Sequence, residues 1–179
     1  MVTEEIVKVI CELNDKVVLG TDGLSDKAPR QTARAVVKTQ DDQYAVMYSA
    51  KFNLYSLPGG GIEDDEDART AVQREIYEET GCICDSIEEL GIVTENRASL
   101  DYTQINHYFI ANTSHASQEN HLTAAEQANR TEVQWHPLDE AVRLIKEQAF
   151  ERVQQKYLQA RDVAALDAYC AMLNGKERT

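Results

Sequence analysis

Basic residues are scarce in this chain. It has 18 lysines and arginines against 31 aspartates and glutamates, which gives a formal net charge of −13. Such an acidic protein repels the phosphate backbone of DNA and RNA, so we expect no nucleic acid among its partners. The negative charge does not exclude a phosphorylated small molecule as a ligand, because a divalent cation can lie between two negatively charged partners.

Long hydrophobic runs are also missing. No segment approaches the roughly 20 apolar residues that a membrane-spanning helix needs, so we expect no membrane contact. The first residues, MVTEEIVKVICELND, lack the basic start and the apolar stretch of a secretory signal, which favours a cytoplasmic protein. The 179 residues suit one domain. Within it we expect 1–31 to form an N-terminal hairpin and loop, and 150–179 to form a C-terminal helical extension.

Cysteines and histidines are too few and too scattered to predict a zinc site. There are four of each, and among the cysteines only Cys82 and Cys84 are close together. A zinc site combines four such ligands at short, recognisable spacings. We therefore interpret the cysteines as free thiols in a reducing compartment.

The first sixty residues have the pattern of two β-hairpins. In the first, strand-like runs at 5–12 and 16–20 flank Asn14-Asp15. In the second, runs at 32–39 and 43–50 flank a polar turn. A hairpin joins antiparallel strands, so these segments predict a sheet that is not purely parallel.

The rest of the chain alternates between helical and strand-like patterns, which predicts a mixed α/β fold. The apolar stripe of 150–173 changes sides near Asp162, which predicts two helices with Asp162 capping the second. The other predicted segments are a helix from about Asp65 to Thr80, a strand-like stretch after Gly81, a strand at 104–112, a loop over most of 113–130, a strand at 131–136 and a helix from Pro137.

Three glutamates share the helix face that should be buried. At 100° per residue, Glu75, Glu78 and Glu79 fall in the same arc as Ala71 and Val72. Near the protein body each close pair of like charges costs on the order of 3–4 kcal/mol before screening. A divalent cation relieves this repulsion, and clustered carboxylates select Mg²⁺ or Mn²⁺. On this pattern alone, a solvated acidic helix end stays an alternative.

The glycines before this helix complete a recognisable motif. From Gly60 through Glu66 to REIYEETGC at 74–82, the residue identities and spacings resemble the Nudix box, so the chain is identified as similar to the Nudix hydrolase family. Cys82 stands where a larger aliphatic residue is usual. The resemblance implies an α/β/α sandwich around a mixed sheet, with the box at 60–82 as loop, helix and loop. To this fold we add the N-terminal β-hairpin and the extra C-terminal helices.

The resemblance also implies a role for each residue of the box. Arg74 is expected to pair with the box acids and orient them. The residues expected to bind metal are Glu75, Glu78, Glu79 and Glu66. The residues expected to shape the loop next to the substrate are Gly59, Gly60 and Gly61.

The implied reaction is hydrolysis of a nucleoside diphosphate linked to another moiety, with Mg²⁺ or Mn²⁺ as cofactor. The metal would neutralise phosphate oxygens and lower the pKa of the attacking water, and a glutamate would take the proton. Glu75 and Glu79 are candidates for this base, as is an acid from 113–132, where we prefer Glu126 to Glu119 and Glu132. The alternative reading of Glu126 is a solvated loop residue.

The substrate stays open between a nucleoside triphosphate and a nucleotide sugar such as ADP-ribose. Proline or tyrosine signatures that some subfamilies carry past the box are absent, since Arg97 and Ala98 stand there. The competing function is a catalytically silent Nudix domain that acts as a nucleotide sensor or binding module. Such domains typically lose a box acid, and this chain keeps all of them. The N-terminal hairpin and the C-terminal helices are candidate surfaces for a homodimer.

Overall fold

The computed structural model of the chain describes residues 7–115 and 120–176. The start of the predicted N-terminal strand, the end of the C-terminal extension and Glu119 lie outside these residues. The strands are β1 Val9–Asn14, β2 Arg30–Thr39, β3 Tyr44–Ser49, β4 Leu54–Ser56, β5 Gly59–Gly61, β6 Cys84–Arg97, β7 Tyr102–Thr113 and β8 Thr131–His136. The helices are α1 Asp15–Leu19, α2 Ala68–Thr80, α3 Ala124–Ala128, α4 Leu138–Lys146 and α5 Val153–Lys176, with a 3₁₀ turn at Ala98–Leu100.

Within the described residues, eight strands form one mixed sheet. Its main order is β1-β6-β7-β2-β3-β4, while β5 pairs with β2 and β8 pairs with β3. β1 runs parallel to β6 and β2 runs parallel to β7, whereas the other pairs are antiparallel. β2 changes neighbours along its length, from β5 opposite Thr32 to β3 opposite Lys38. The sheet therefore divides beside β2, and the candidate site lies at this division.

Helices cover both faces of the sheet. Side chains of a strand alternate between faces, so Ala35 and Val36 of β2 point to different layers. Ala35 packs in a core with Val72 of α2, while Val36 packs with Ile145 of α4 and Leu166 of α5. Burying a side chain such as isoleucine or leucine contributes about 1.5–3 kcal/mol each. This arrangement and its helical layers confirm the predicted α/β/α sandwich around a mixed sheet.

The predicted N-terminal hairpin is wrong. The segment after Asn14 is helix α1, not a strand, and β1 pairs in parallel with β6. The side chain of Asn14 accepts a hydrogen bond from the N–H of Val17 at 3.0 Å, and Gly20 ends the helix with φ +77°. Asn-Asp suits a tight turn and a helix N-terminus equally, and here it caps a helix. The second hairpin is confirmed, since β2 and β3 are antiparallel.

The predicted break at Asp162 is also wrong, because α5 is one continuous helix. Arg161 and Asp162 lie inside its buried face, at 2% and 0% exposure. The carboxylate of Asp162 accepts hydrogen bonds from the N–H of Leu57 at 2.9 Å and from the hydroxyl of Tyr108 at 2.5 Å. Two buried polar residues thus interrupt the apolar stripe without interrupting the helix.

The remaining segments agree with the predicted pattern. The predicted helix at 65–80 is α2, the strand at 131–136 is β8, and Pro137 directly precedes α4. Between 113 and 130 the described part contains the short helix α3. Among the described residues, the helices are too short or too polar to cross a membrane.

Replacing Asp162 by alanine should destabilise the fold strongly. The change leaves the N–H of Leu57 and the hydroxyl of Tyr108 without their acceptor, and leaves Arg161 without its neighbouring charge. We expect the free energy of unfolding, measured by urea denaturation, to fall by about 3–5 kcal/mol. The matched control is Asp167→Ala on the same helix, whose exposed ion pair with Lys146 should contribute about 1 kcal/mol or less. Equal losses in both variants would contradict a structural role for Asp162.

Candidate active site

The glycine strand β5 makes two unusually close backbone approaches. Gly59 has φ +136°, and a Cβ there would lie 2.3 Å from the carbonyl oxygen of Ala33. A Cβ on Gly60 would lie 2.3 Å from Oε1 of Glu75. Only residues without side chains fit these positions. The glycines therefore let β5 pair with β2 on one side and contact the carboxylates of α2 on the other.

Helix α2 is fixed at both ends, which sets the position of its acids. The side chain of Asp67 accepts a hydrogen bond from the N–H of Thr70 at 2.7 Å, and Gly81 ends the helix with φ +70°. Its buried face begins with small and aliphatic residues such as Val72 and continues into Glu75 and Glu79, at 8% and 6% exposure. Glu75 and Glu79 therefore lie on the buried face, as the helical projection predicts, while Glu78 is half-buried at its edge.

Glu79 is buried with little compensation for its charge. Its Oε2 accepts one hydrogen bond, at 2.6 Å, from the N–H of Gly59. Burial, and then the negative charge of Glu75, raise the pKa of Glu79 well above the ordinary glutamate value. Burial also raises the pKa of Glu75, against the opposing effect of Arg74. Two neighbouring carboxylates in a desolvated position gain most from a further positive charge.

Arg74 lies among the other acids of the box. Its guanidinium nitrogens are 2.6 Å from Oε1 of Glu66, 2.9 Å from Oε1 of Glu75 and 3.3 Å from Oε2 of Glu78. It also donates to the carbonyl oxygen of Gly61 at 3.0 Å. The structure thus gathers three of the four predicted metal ligands around Arg74, and places the fourth, Glu79, against Gly59.

The chemistry of these side chains fits a divalent cation. As they stand, no three His, Cys, Asp or Glu side chains in 7–115 and 120–176 have the arrangement of a metal site. The donor set nevertheless consists of hard carboxylate oxygens, the type that Mg²⁺ and Mn²⁺ prefer. In the described part, Glu75 accepts from Arg74 and Glu79 accepts from Gly59 as their sole donors. Glu75, Glu78 and Glu79 are the residues that would hold the cation.

A pocket of about 450 Å³ opens beside Glu79. Strands β3 and β4 and helix α5 form its walls, and apolar side chains such as Leu54 and Leu158 line part of it. Its charged residues are the acids Glu79 and Glu126 and the arginines Arg34, Arg152 and Arg161. The pocket thus has carboxylates and guanidiniums on one continuous surface, next to an apolar wall, which suits a ligand with both phosphate and uncharged parts.

Comparison with known proteins decides the family. A family model of the NUDIX domain matches residues 29–159. The chain belongs to the NUDIX domain family. This confirms the resemblance that the box carries, and the match extends far beyond the box.

Solved structures with the same fold support the architecture of this NUDIX domain. A NUDIX hydrolase from Nitrosomonas europaea aligns with TM-score 0.58 and 21% identity, over 80% of this chain and 90% of that one. The NUDIX domain of NrtR from Shewanella oneidensis, solved in complex with ADP ribose, aligns with TM-score 0.55 and 25% identity, over 75% of this chain and 88% of that one.

One curated relative shares a short segment with the NUDIX domain. The RNA pyrophosphohydrolase of Dinoroseobacter shibae is 49% identical over 43 residues, which is 24% of this chain. The match spans 27% of that relative's length. This short match supports membership of the family, and it does not show that this chain acts on the same substrate as that relative.

Glu126 lies in the pocket of the NUDIX domain but also serves its own helix. Its Oε2 accepts from the N–H and from the hydroxyl of Thr123, both at 2.7 Å, in the capping box of α3. Glu132, the other acid considered in this segment, is exposed on β8 and accepts from Gln134. Among the described acids of this segment, Glu126 is the one that shares a pocket with Glu79.

Sequence reasoning missed the arginines of the NUDIX pocket. Arg34 lies between two buried alanines of β2, and Arg161 lies beside Asp162 in α5. A charged residue inside an otherwise buried strand is a usable signal, because such residues are rarely buried without a partner. No spacing in the sequence connects positions so far apart.

Replacing Gly60 by alanine should disturb the NUDIX site through sterics alone. The new methyl group would overlap the carboxylate of Glu75, so either the strand or the acid must move. We expect the free energy of unfolding to fall by about 1–3 kcal/mol in thermal or urea denaturation. The control is Gly175→Ala in α5, where nothing lies within 4 Å of the added Cβ and stability should stay level or rise by up to about 1 kcal/mol. A Gly60 variant as stable as the Gly175 variant would rule out the close approach.

Proposed function

We propose that this chain is a Mg²⁺- or Mn²⁺-dependent hydrolase that cleaves a nucleoside diphosphate linked to another moiety. The observation that carries the proposal is the pair of buried, undercompensated carboxylates, Glu75 and Glu79, held by the glycine strand at the edge of a pocket that also contains arginines. Burying two neighbouring carboxylates is costly even with Arg74 beside Glu75 and the N–H of Gly59 on Glu79, and a ligand of opposite charge would lower this cost. Membership of the NUDIX family supports the same reaction class.

Each residue of the box has a definite task in this proposal. Glu75, Glu78 and Glu79 would hold the cation. A divalent cation supplies positive charge to the phosphate oxygens and lowers the pKa of a neighbouring water. Arg74, anchored by Glu66, keeps the carboxylates of Glu75 and Glu78 in place. Restricting these side chains before substrate arrives lowers the entropic cost of reaching a reactive geometry.

The N–H of Gly59 and the carboxylate of Glu126 complete the proposed machinery. Gly59 donates to one oxygen of Glu79, and the carboxylate of Glu79 would still be available to the cation. We assign proton abstraction to Glu126, because Glu75 and Glu79 are committed as ligands and Glu126 lies in the same pocket. The hydrogen bonds from Thr123 use Oε2 of Glu126, so Oε1 is the oxygen assigned to the water.

Small nucleotides fit the proposal better than an RNA chain. The net charge of −13 disfavours a long polyanion, although the relative from Dinoroseobacter shibae is an RNA pyrophosphohydrolase. The NUDIX domain of NrtR was solved with ADP ribose, which contains the diphosphate that the reaction needs. We therefore place nucleoside triphosphates and ADP-ribose first among the substrates to test. Because α5 packs on the sheet in the same core, we also propose that the chain is a single domain.

Substitution of the two glutamates should separate cation binding from proton transfer. Glu79→Gln should lose Mg²⁺ uptake in calorimetry and lose Mg²⁺-dependent phosphate or nucleotide release from ATP, GTP and ADP-ribose. Glu126→Gln should keep Mg²⁺ uptake while kcat falls by about 10²–10⁴-fold. Glu88→Gln, an exposed acid on β6, is the matched control and should match the wild type in both measurements.

Two results would count against the proposed hydrolase. Tight binding of a nucleotide without turnover of any substrate in the panel would indicate a sensor instead. Absence of Mg²⁺ and Mn²⁺ uptake by chelator-treated protein, with and without nucleotide, would remove the basis of the proposal altogether.

A further inference from the structure

Two arginines of the pocket have guanidinium nitrogens with no protein partner. Nε of Arg34 and Nη2 of Arg161 are inaccessible to water, and neither has a hydrogen-bond acceptor among the described residues. Both side chains line the pocket that contains Glu79. Buried polar groups are normally hydrogen-bonded, so each orphan donor requires an explanation.

The acids around Arg161 are already engaged. Its Nε lies 3.4 Å from Asp162, and its Nη1 lies 3.4 Å from Asn106 and 3.9 Å from Glu95, all of them long contacts. Glu95 accepts a hydrogen bond from Nε of Arg97 at 2.6 Å. Arg161 is thus held in position at 2% exposure while part of its donor capacity remains unused.

Arg34 has even less compensation. Its Nη1 donates to the carbonyl oxygen of Leu57 at 3.3 Å, and no described carboxylate lies within ion-pair distance of it. Burial, and then the positive charge of Arg161, lower the pKa of Arg34. Two neighbouring guanidiniums that both face a pocket form a local positive region inside an acidic protein. An anion in the pocket would offset this repulsion, and a shift of either side chain would bring its orphan donor, closed to water in this structure, to the anion.

We propose that Arg34 and Arg161 form a subsite for a phosphoryl group of the substrate. The identity of this ligand as substrate rests on the proposed hydrolase function. A guanidinium presents its donors in a planar fork that matches two oxygens of a phosphate. The subsite adjoins Glu79, so one phosphorylated ligand can reach the carboxylates and the arginines together. Helix α5 supplies Arg161, which lies two residues beyond the range 29–159 that matches the NUDIX family model.

The subsite can be tested without metal and without turnover. The probes are inorganic phosphate, pyrophosphate, AMP and adenosine, titrated by calorimetry into the full chain in the presence of EDTA. The wild type should bind pyrophosphate and AMP but not adenosine. Arg34→Gln and Arg161→Gln should each weaken both bound ligands at least tenfold, and Arg161→Lys, which keeps the charge but not the fork, should give an intermediate loss.

A matched control separates the subsite from general electrostatics. Arg143→Gln removes the same charge from an exposed position on α4 and should leave the affinities unchanged. Circular dichroism and thermal denaturation confirm that each variant is folded. If Arg161→Gln does not fold, the affinities of Arg34→Gln and Arg161→Lys decide whether the subsite exists. In turnover of the accepted nucleotide, Arg34→Gln should raise KM more than it lowers kcat.

Several outcomes would overturn the subsite. These are unchanged affinity in Arg34→Gln, equal weakening in Arg143→Gln, and absence of pyrophosphate binding by the wild type. Tighter binding of inorganic phosphate than of AMP would overturn its assignment to the substrate. If the arginine variants bind pyrophosphate and AMP as the wild type does, while Mg²⁺-dependent hydrolysis is intact, only the subsite is ruled out. If binding depends on the arginines but no nucleotide is hydrolysed, only the proposed hydrolase function is ruled out.

Discussion

The contact between the glycine strand and the acids of α2 is the constraint on which the site depends. Gly59 and Gly60 bring a bare backbone against Glu75 and Glu79, at positions where any side chain would overlap its neighbours. This closeness removes water from the carboxylates, and the single N–H of Gly59 replaces little of the lost hydration. The fold therefore holds two neighbouring carboxylates in a desolvated position, with Arg74 beside Glu75, and the packing of α2 on the sheet fixes them there.

A second buried charge arises on the opposite layer of the sandwich. Arg161 enters the pocket from α5, while the adjacent Asp162 binds the backbone before β5 at Leu57 and the hydroxyl of Tyr108 on β7. Two adjacent residues of α5 thus have different tasks. Asp162 anchors the segment that leads into the glycines, and Arg161 places a guanidinium at the pocket. The C-terminal helix is therefore an integral part of the site, although its sequence reads as an extension of the domain.

Local patterns in the sequence predict the elements and the acidic half of the site. The apolar spacing of α2 and its flanking glycines locate Glu75 and Glu79 on the buried face, because that geometry is set within one helix. The prediction of an N-terminal hairpin was wrong because Asn14-Asp15 is equally common in a tight turn and at a helix N-terminus. Which of the two forms depends on the pairing of β1 with β6, a contact that is distant in sequence. The sequence does not predict that Arg34 and Arg161 line one pocket, because only the tertiary fold brings them together and no spacing along the chain relates them.

Charges of opposite sign line the pocket of this acidic protein, which suits the anionic ligand that the proposed function requires. Exposed charges are screened over a Debye length of about 8 Å at physiological ionic strength, so most of the net charge of −13 acts weakly inside the pocket. Buried charges are screened much less, and the buried charges that line the pocket are Glu79 and Arg161. A nucleotide near its walls therefore responds to Arg34, Arg161 and Glu79 more than to the surface. Under the proposed function, the overall charge would disfavour long polyanions, while Arg34, Arg161 and Glu79 would select among small ones.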